Sequence, residues 1–322
     1  MRVSGCCSRW ELCFRNTYSL QPLLTNMGER SVKATLLGIA QDAGRPQAGC
    51  VRPCCADSHL DPSLVRHPVS LGVVGVDHST HLFEATRALA WQFECWHDAD
   101  PEEGPLDTLW ITHAHLGHVD GIGLFGREAI AASGLPLHCS SVFAELLQRT
   151  PAWALMLEQG VLSPCPFESG VVISPTEQCG FTVTPLKVPH RAELSDMHAM
   201  QITGPRRTLL FLPDHDAWSE TLESMGASDI RTWFQNLEVD IILIDGTFWS
   251  ADELHHRDQG TVPHPPVRET IESLGPRQEG DPRMVFIHLN HTNPLHDEES
   301  PEAQMVEQMG WEIGFEGMTI EL

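Results

Sequence analysis

The run Thr112–Gly121 (Thr-His-Ala-His-Leu-Gly-His-Val-Asp-Gly) constrains this chain more than any other stretch. It follows the apolar segment Leu106–Ile111, which reads as a buried strand. Three imidazoles then fall together where a strand gives way to a glycine-containing turn. His113 and His115 are two positions apart, so on an extended backbone both rings face one side. Gly117 permits the reversal that brings His118 towards the same point. Neutral imidazole is the commonest side-chain metal ligand, so this cluster predicts a site for one or two divalent ions. The competing reading is a surface cluster in a chain of 18 histidines, but the strand-then-turn context favours metal binding.

The same pattern recurs downstream. Phe181–Val188 runs into Pro189-His190-Arg191, Thr208–Leu212 into Pro213-Asp214-His215-Asp216, and Val239–Ile244 into Asp245-Gly246-Thr247. Met284–Ile287 runs into His288-Leu289-Asn290-His291. Polar clusters at the ends of apolar strands are how α/β folds build sites on a rigid scaffold. Upstream, Val32–Ala40 reads as the first strand, followed by a Gly/Pro-rich loop over Gln41–Cys55. Leu71–Val76 and His81–Ala85 read as paired strands and Leu135–Cys139 as another. Thr86–His97, Ile122–Ala132, Val142–Arg149 and Trp153–Glu158 have helical spacing. Arg257–Pro266 and Pro276–Pro282 read as loops that lie over the site.

Charge narrows the function. With 20 Lys+Arg against 44 Asp+Glu, the net charge is −24, a field that repels phosphate backbones and disfavours nucleic-acid partners. No apolar run is long enough for a membrane span. The ten cysteines show no disulfide framework, so reduced thiols and a cytoplasmic location are expected. A small-molecule substrate fits this balance, and a homo-oligomer stays open.

His-x-His-x-x-His at a strand end resembles the signature of the metallo-β-lactamase superfamily, which usually reads His-x-His-x-Asp-His. Here Gly117 stands at the Asp position. The resemblance runs from about Val32 to Leu322. It is nearest to the branch around pyrroloquinoline quinone biosynthesis protein B, through Gln41–Gly44, Pro46–Cys50, Val188–His190, Leu212–Asp214, Asp245–Phe248 and Phe286–Pro294. The biosynthetic protein itself lacks several of these histidines; this chain keeps them. The resemblance implies an αββα sandwich of two mixed sheets flanked by helices, built from residues 31–322 as one domain, with residues 1–30 as a peripheral extension.

It also implies a ligand set. His113, His115 and His190 would hold one metal, Asp214 would bridge, and His118 and His291 would serve a second metal, with Asp214 and His118 nearest the chemistry. His291 is preferred over His288 on strand parity. His215, Asp216, His288 and Asp245 are expected behind the ligands, and His264 in the pocket lining. Asp120 reads as a helix-start residue. One or two divalent ions are expected, zinc first, with iron or manganese as alternatives. Because position 117 lacks a carboxylate, the second ion should be the weaker, and Gly117→Asp should raise its occupancy. Cys50, Cys54 and Cys55 are candidate ligands of a structural metal that His59 or a distant residue would complete; free buried or redox-active thiols are the equal alternative.

These features imply metal-dependent hydrolysis of an ester, lactone, amide or phosphoester bond. An iron-dependent oxidoreductase of the cofactor-biosynthesis type is the second reading, and metal binding without catalysis the third. Met27 directly precedes the first strand, and Met1–Arg30 has no hydrophobic periodicity. A chain beginning at Met27 should therefore keep the melting temperature of the full sequence; a large drop in a thermal scan would place the extension in the core.

Overall fold

The structure is a computed structural model that describes residues 31–101, 106–254, 259 and 262–322. The extension over residues 1–30 and most of the 257–262 stretch lie outside the described residues.

The strands are β1 (Lys33–Gly38), β2 (Ser70–Val74), β3 (Thr80–Phe83), β4 (Leu106–Trp110), β5 (Leu135–Ser140), β6 (Leu162–Phe167), β7 (Thr182–Val188), β8 (Met197–Thr203), β9 (Thr208–Leu212), β10 (Ile241–Asp245), β11 (Arg283–Ile287), β12 (Glu312–Ile313) and β13 (Thr319–Glu321). Seven form one sheet in the order β13-β1-β2-β3-β4-β5-β6, and six form the other in the order β12-β11-β10-β9-β8-β7. Both are mixed. The first is antiparallel up to β3 and parallel from β3 to β6. The second is antiparallel from β7 to β9 and parallel from β9 to β12.

The central strand β10, Ile-Ile-Leu-Ile-Asp, is buried throughout because neighbours pair both edges and layers cover both faces. Between the sheets, Leu36, Leu71, Val73 and Phe83 share one core with Met200, Phe211, Leu243 and Phe286. A second core lies beneath the outer helices α2 (Leu89–Ala99), α4 (Ser141–Arg149) and α5 (Pro151–Glu158), around Trp96, Leu109, Leu137 and Phe143. Two very short helices, α1 (Pro53–Ala56) and α3 (Leu116–Val119), carry site residues. On the opposite side lie α6 (Trp218–Met225), α7 (Ile230–Asn236), α8 (Val267–Leu274) and α9 (Pro301–Gln308). In α8 the buried residues Val267, Thr270, Ile271 and Leu274 follow the i, i+3, i+4, i+7 stripe of a helix packed on a sheet.

The structure corrects two elements read from the sequence. Ile122–Ala132 is not a helix but a single 3-10 turn, Ile122–Phe125, ended by Gly126 in an extended conformation. Gly121, Gly123 and Gly126 crowd that segment, and glycine is a poor helix former. The helix expected from Thr86 begins at Leu89. Strand β8 went unread because Met-His-Ala-Met-Gln-Ile-Thr has neither alternation nor β-branched enrichment; its pairing with β7 and β9 fixes it.

Gly72 on β2 lies flat against the ring of Trp96, so a Cβ there would stand 2.5 Å from it. Trp96 is fully buried and has no room to retreat. Gly72→Ala should therefore destabilise the fold by about 1–3 kcal/mol, read as a lower urea midpoint at unchanged slope.

Candidate metal centre

The strand ends of both sheets meet at one end of the sandwich. The backbone N–H of His198 on β8 donates to Thr112 O (3.1 Å), tying the histidine loop across to the second sheet. His118 O accepts from Ala85 N (2.8 Å) at the end of β3, and Asp216 N donates to Pro189 O (2.9 Å). These links bring together residues on or just past five strands, β3, β4, β7, β8 and β9.

His113 Nε2 lies 2.9 Å from His115 Nδ1, and His190 Nε2 lies 3.2 Å from the same atom. Asp214 Oδ1 is 3.7 Å from His190 Nε2. Its other oxygen, Oδ2, is 3.2 Å from His118 Nε2 and 3.6 Å from His288 Nε2, so this buried carboxylate faces two groups of histidines. Each ring is oriented from behind. Asp216 Oδ1 is 3.2 Å from His190 Nδ1, Glu193 Oε2 is 3.2 Å from His115 Nε2, and Thr112 Oγ1 is 2.9 Å from His113 Nδ1. Thr247 Oγ1 is 2.9 Å from His288 Nδ1, and Glu84 Oε1 is 3.5 Å from His118 Nδ1.

Electrostatics suit a cation. Burial pushes His113 and His115 below the ordinary histidine value, which keeps them neutral and able to ligate. Burial opposes ionisation of Asp214, but His288, His118 and His113 outweigh it and hold the carboxyl well below the usual range. Burial likewise opposes charge on His118, yet Asp214 and Glu84 raise its pKa well above normal. A cation bound here would take over the charge of that proton, so binding releases it. The donor atoms Asp42 Oδ1, His118 Nε2, Asp214 Oδ2 and His288 Nε2 are buried without a hydrogen-bond partner. Orphaned buried polar atoms are rare, and imidazole and carboxylate donors converging in this way fit a divalent metal.

Two expectations change. His291 does not join His118; its Nδ1 lies 3.3 Å from Cys55 Sγ and 3.5 Å from Cys54 Sγ, with Cys50 Sγ 3.8 Å from Cys54 Sγ. His288 stands beside His118 instead. Strand parity holds only along an extended backbone, whereas His288, just past β11, has φ +61°, which breaks the alternation. Position 117 also has no room for a side chain: a Cβ there would lie 2.3 Å from Asp42 Oδ1 and 2.4 Å from Asp42 Cα. The ground for a Gly117→Asp gain of metal is thereby removed.

The remaining candidates fall behind or beside this cluster. His215 is buried, with Nδ1 3.0 Å from Thr221 Oγ1. Asp245 Oδ2 is 2.6 Å from His264 Nδ1 and accepts from His215 N at 3.2 Å. Asp120 ends α3 rather than starting a helix, and pairs with Arg87 at 2.6 Å. His59 Nε2 is 2.8 Å from Cys50 O, apart from the thiol cluster that His291 completes. Asp42 and Glu84 were missed. Glu84 carries no motif, and the signals for Asp42 were its place in the matching Gln41–Gly44 stretch and the bare Gly117 facing it. A cavity of about 670 Å³ lined by Phe93, Trp96, Phe125 and Leu135 lies at the opposite strand ends and contains no such cluster.

Cys50, Cys54, Cys55 and His291 form a four-donor set of the kind that holds structural zinc. In His291→Ala, one zinc equivalent should be lost with a fall in melting temperature, while metal at the His113–His190 cluster stays; unchanged zinc content, measured by plasma emission, would leave only free thiols.

The comparisons agree with this architecture. Residues 82–289 match the family described as Beta-lactamase superfamily domain. The chain is 27% identical over 319 residues to "Coenzyme PQQ synthesis protein B" of Xanthomonas euvesicatoria pv. vesicatoria, covering 90% of this chain and 100% of that protein. The protein of the same name from Azoarcus sp. is 26% identical over 318 residues, with the same coverage. Among solved structures, zinc-bound PqqB from Methylobacterium extorquens superposes with a TM-score of 0.72 at 21% identity, over 90% of this chain and 100% of that one. A diphosphatase from the PhnP family gives 0.62 at 16% identity, over 91% and 98%. With its two mixed sheets, flanking helices and strand-end histidines, the chain belongs to the metallo-β-lactamase superfamily.

Proposed function

We propose that this protein is a metal-dependent hydrolase acting on an ester, lactone, amide or phosphoester bond of a small molecule. The observation that carries this reading is the gathering of His190, His118 and His288 around the two oxygens of buried Asp214, with His113 and His115 beside them. His113, His115, His190 and Asp214 would hold one divalent metal, and His118 and His288 would serve a second with Asp214 between them. A metal in such a site acidifies a bound water towards neutrality, so that no separate base is required.

The chain's own residues supply the rest. Asp245 accepts from Thr247 N at 2.9 Å, from Thr247 Oγ1 at 2.7 Å and from His215 N, so its carboxylate is fixed where it meets His264. Burial disfavours charge on His264, but Asp245 beside it, with Asp214 beyond, raises its pKa. His264 Nδ1 is only 3.9 Å from Asp214 Oδ1. An imidazolium held there, oriented by a carboxylate, is placed to give a proton to a leaving group. The −24 net charge favours a small substrate over a polyanion.

An iron-dependent oxidoreductase is the second reading. Its support is the similarity to PQQ synthesis protein B over 90% of the chain, together with ligands that iron also accepts. Loading the protein separately with zinc, manganese and iron, and assaying ester, lactone, amide and phosphoester panels beside oxygen uptake, tests both. Turnover with zinc or manganese and no oxygen consumption is expected; oxygen consumption with iron alone would overturn hydrolysis. On the substrate found, His264→Ala should lower kcat by about 10²–10⁴-fold at unchanged metal content, and should abolish the fall in kcat as pH rises through the raised His264 pKa.

A further inference from the structure

We infer that Asp42 is the carboxylate of the second metal position, reaching it from the loop after β1 in place of the side chain that Gly117 lacks. The inference rests on the metal-centre reading above but concerns which residues build it.

Four donor atoms lie in a ring. Going round, His118 Nε2 is 3.2 Å from Asp214 Oδ2, which is 3.6 Å from His288 Nε2. His288 Nε2 is 3.6 Å from Asp42 Oδ1, which returns to His118 Nε2 at 3.3 Å. Ligands of one ion with metal bonds of about 2.0–2.1 Å stand roughly 3.3 Å apart; His118, His288 and Asp42 form one such group, and Asp214 Oδ2 stands at ligand spacing from both imidazoles. All four atoms are buried and without hydrogen-bond partners. Two carboxylates and two neutral imidazoles would neutralise a dication, which removes the charge deficit expected from Gly117.

The backbone makes this arrangement specific. Gln41 N donates to Leu289 O (2.8 Å) and Leu289 N donates to Ile39 O (2.8 Å). The residue before Asp42 is thus paired to the residue after His288, and the two ligands arrive on one stitched pair of segments. Asp42 Cα then passes where the Gly117 side chain would be. Because Gly117 has no left-handed φ, glycine is needed there for the close approach alone. A carboxylate at 117 and one at 42 exclude each other sterically.

Two variants of the full chain test this by metal binding alone. Asp42→Asn keeps the shape and removes the charge. Gly117→Ala removes no ligand and adds one methyl group against Asp42. The parent, titrated with zinc against a chromophoric chelator, should hold both ions of the His/Asp centre tightly. Both variants should bind the second at least about a hundredfold more weakly, since even outer-shell changes cost 10–100-fold. Anomalous scattering from crystals should still show metal at His113, His115 and His190 and at the cysteine cluster. Parental second-ion affinity in either variant overturns the inference. Two tight ions without turnover would instead fail the hydrolase reading and leave this one standing.

Discussion

A carboxylate buried where two sheets end is the interaction on which the rest of this molecule depends. Removing an ion from water costs several kcal/mol unless partners compensate it, and Asp214 is almost wholly enclosed. Its compensation comes from His190 on one oxygen and from His118 and His288 on the other. These rings arrive from β7, the loop after β4 and the end of β11, so no single element can satisfy it. Only a sandwich that aligns those strand ends surrounds Asp214 with imidazoles. The outer ring of Asp216, Glu193, Glu84, Thr112 and Thr247 then fixes each imidazole.

Holding the rings so requires strain. Glu84 has φ +71° and His288 φ +61°, conformations that cost about 1–3 kcal/mol each for residues other than glycine. Both flank His118. Glu84 is locked by Trp110 O, which accepts its N–H at 2.9 Å, and by Thr112 Oγ1, which donates to Oε1 at 2.5 Å. His288 lies between β11 and the Leu289–Ile39 pairing. The surrounding sheets over-determine these two residues, and that is what a site with rigid ligand positions needs.

Much of this was legible in the sequence, because strand-end clusters are local patterns. His113, His115, His190 and Asp214 each follow an apolar run directly, and the structure brings them together. What failed was anything depending on backbone direction or distant approach. Parity misassigned His288 and His291 because a single left-handed residue reverses the alternation. Asp42 sits in a Gly/Pro loop with no period to mark it. Its trace lay elsewhere, in Gly117, where an absent side chain meant occupied space rather than a missing ligand. Strand β8 and the failed helix after Ile122 show the same limit: neighbours and glycine density decided them, not periodicity.

The cysteine cluster gains meaning from where its four residues lie. Cys50 follows Asp42 by eight positions on one loop, and His291 follows His288 by three on another. The contacts of Cys54 and Cys55 with His291 therefore close a second link between the same two segments that Ile39, Gln41 and Leu289 already pair. Each such link removes conformations that would let Asp42 and His288 drift apart, and fixing both ends of a short loop restricts it far more than fixing one. Ligands delivered by loops hold a metal only as well as those loops are held. Asp42 lies past the end of β1 in a loop held by the Gln41–Leu289 pairing at one end and by the thiol–imidazole cluster at the other.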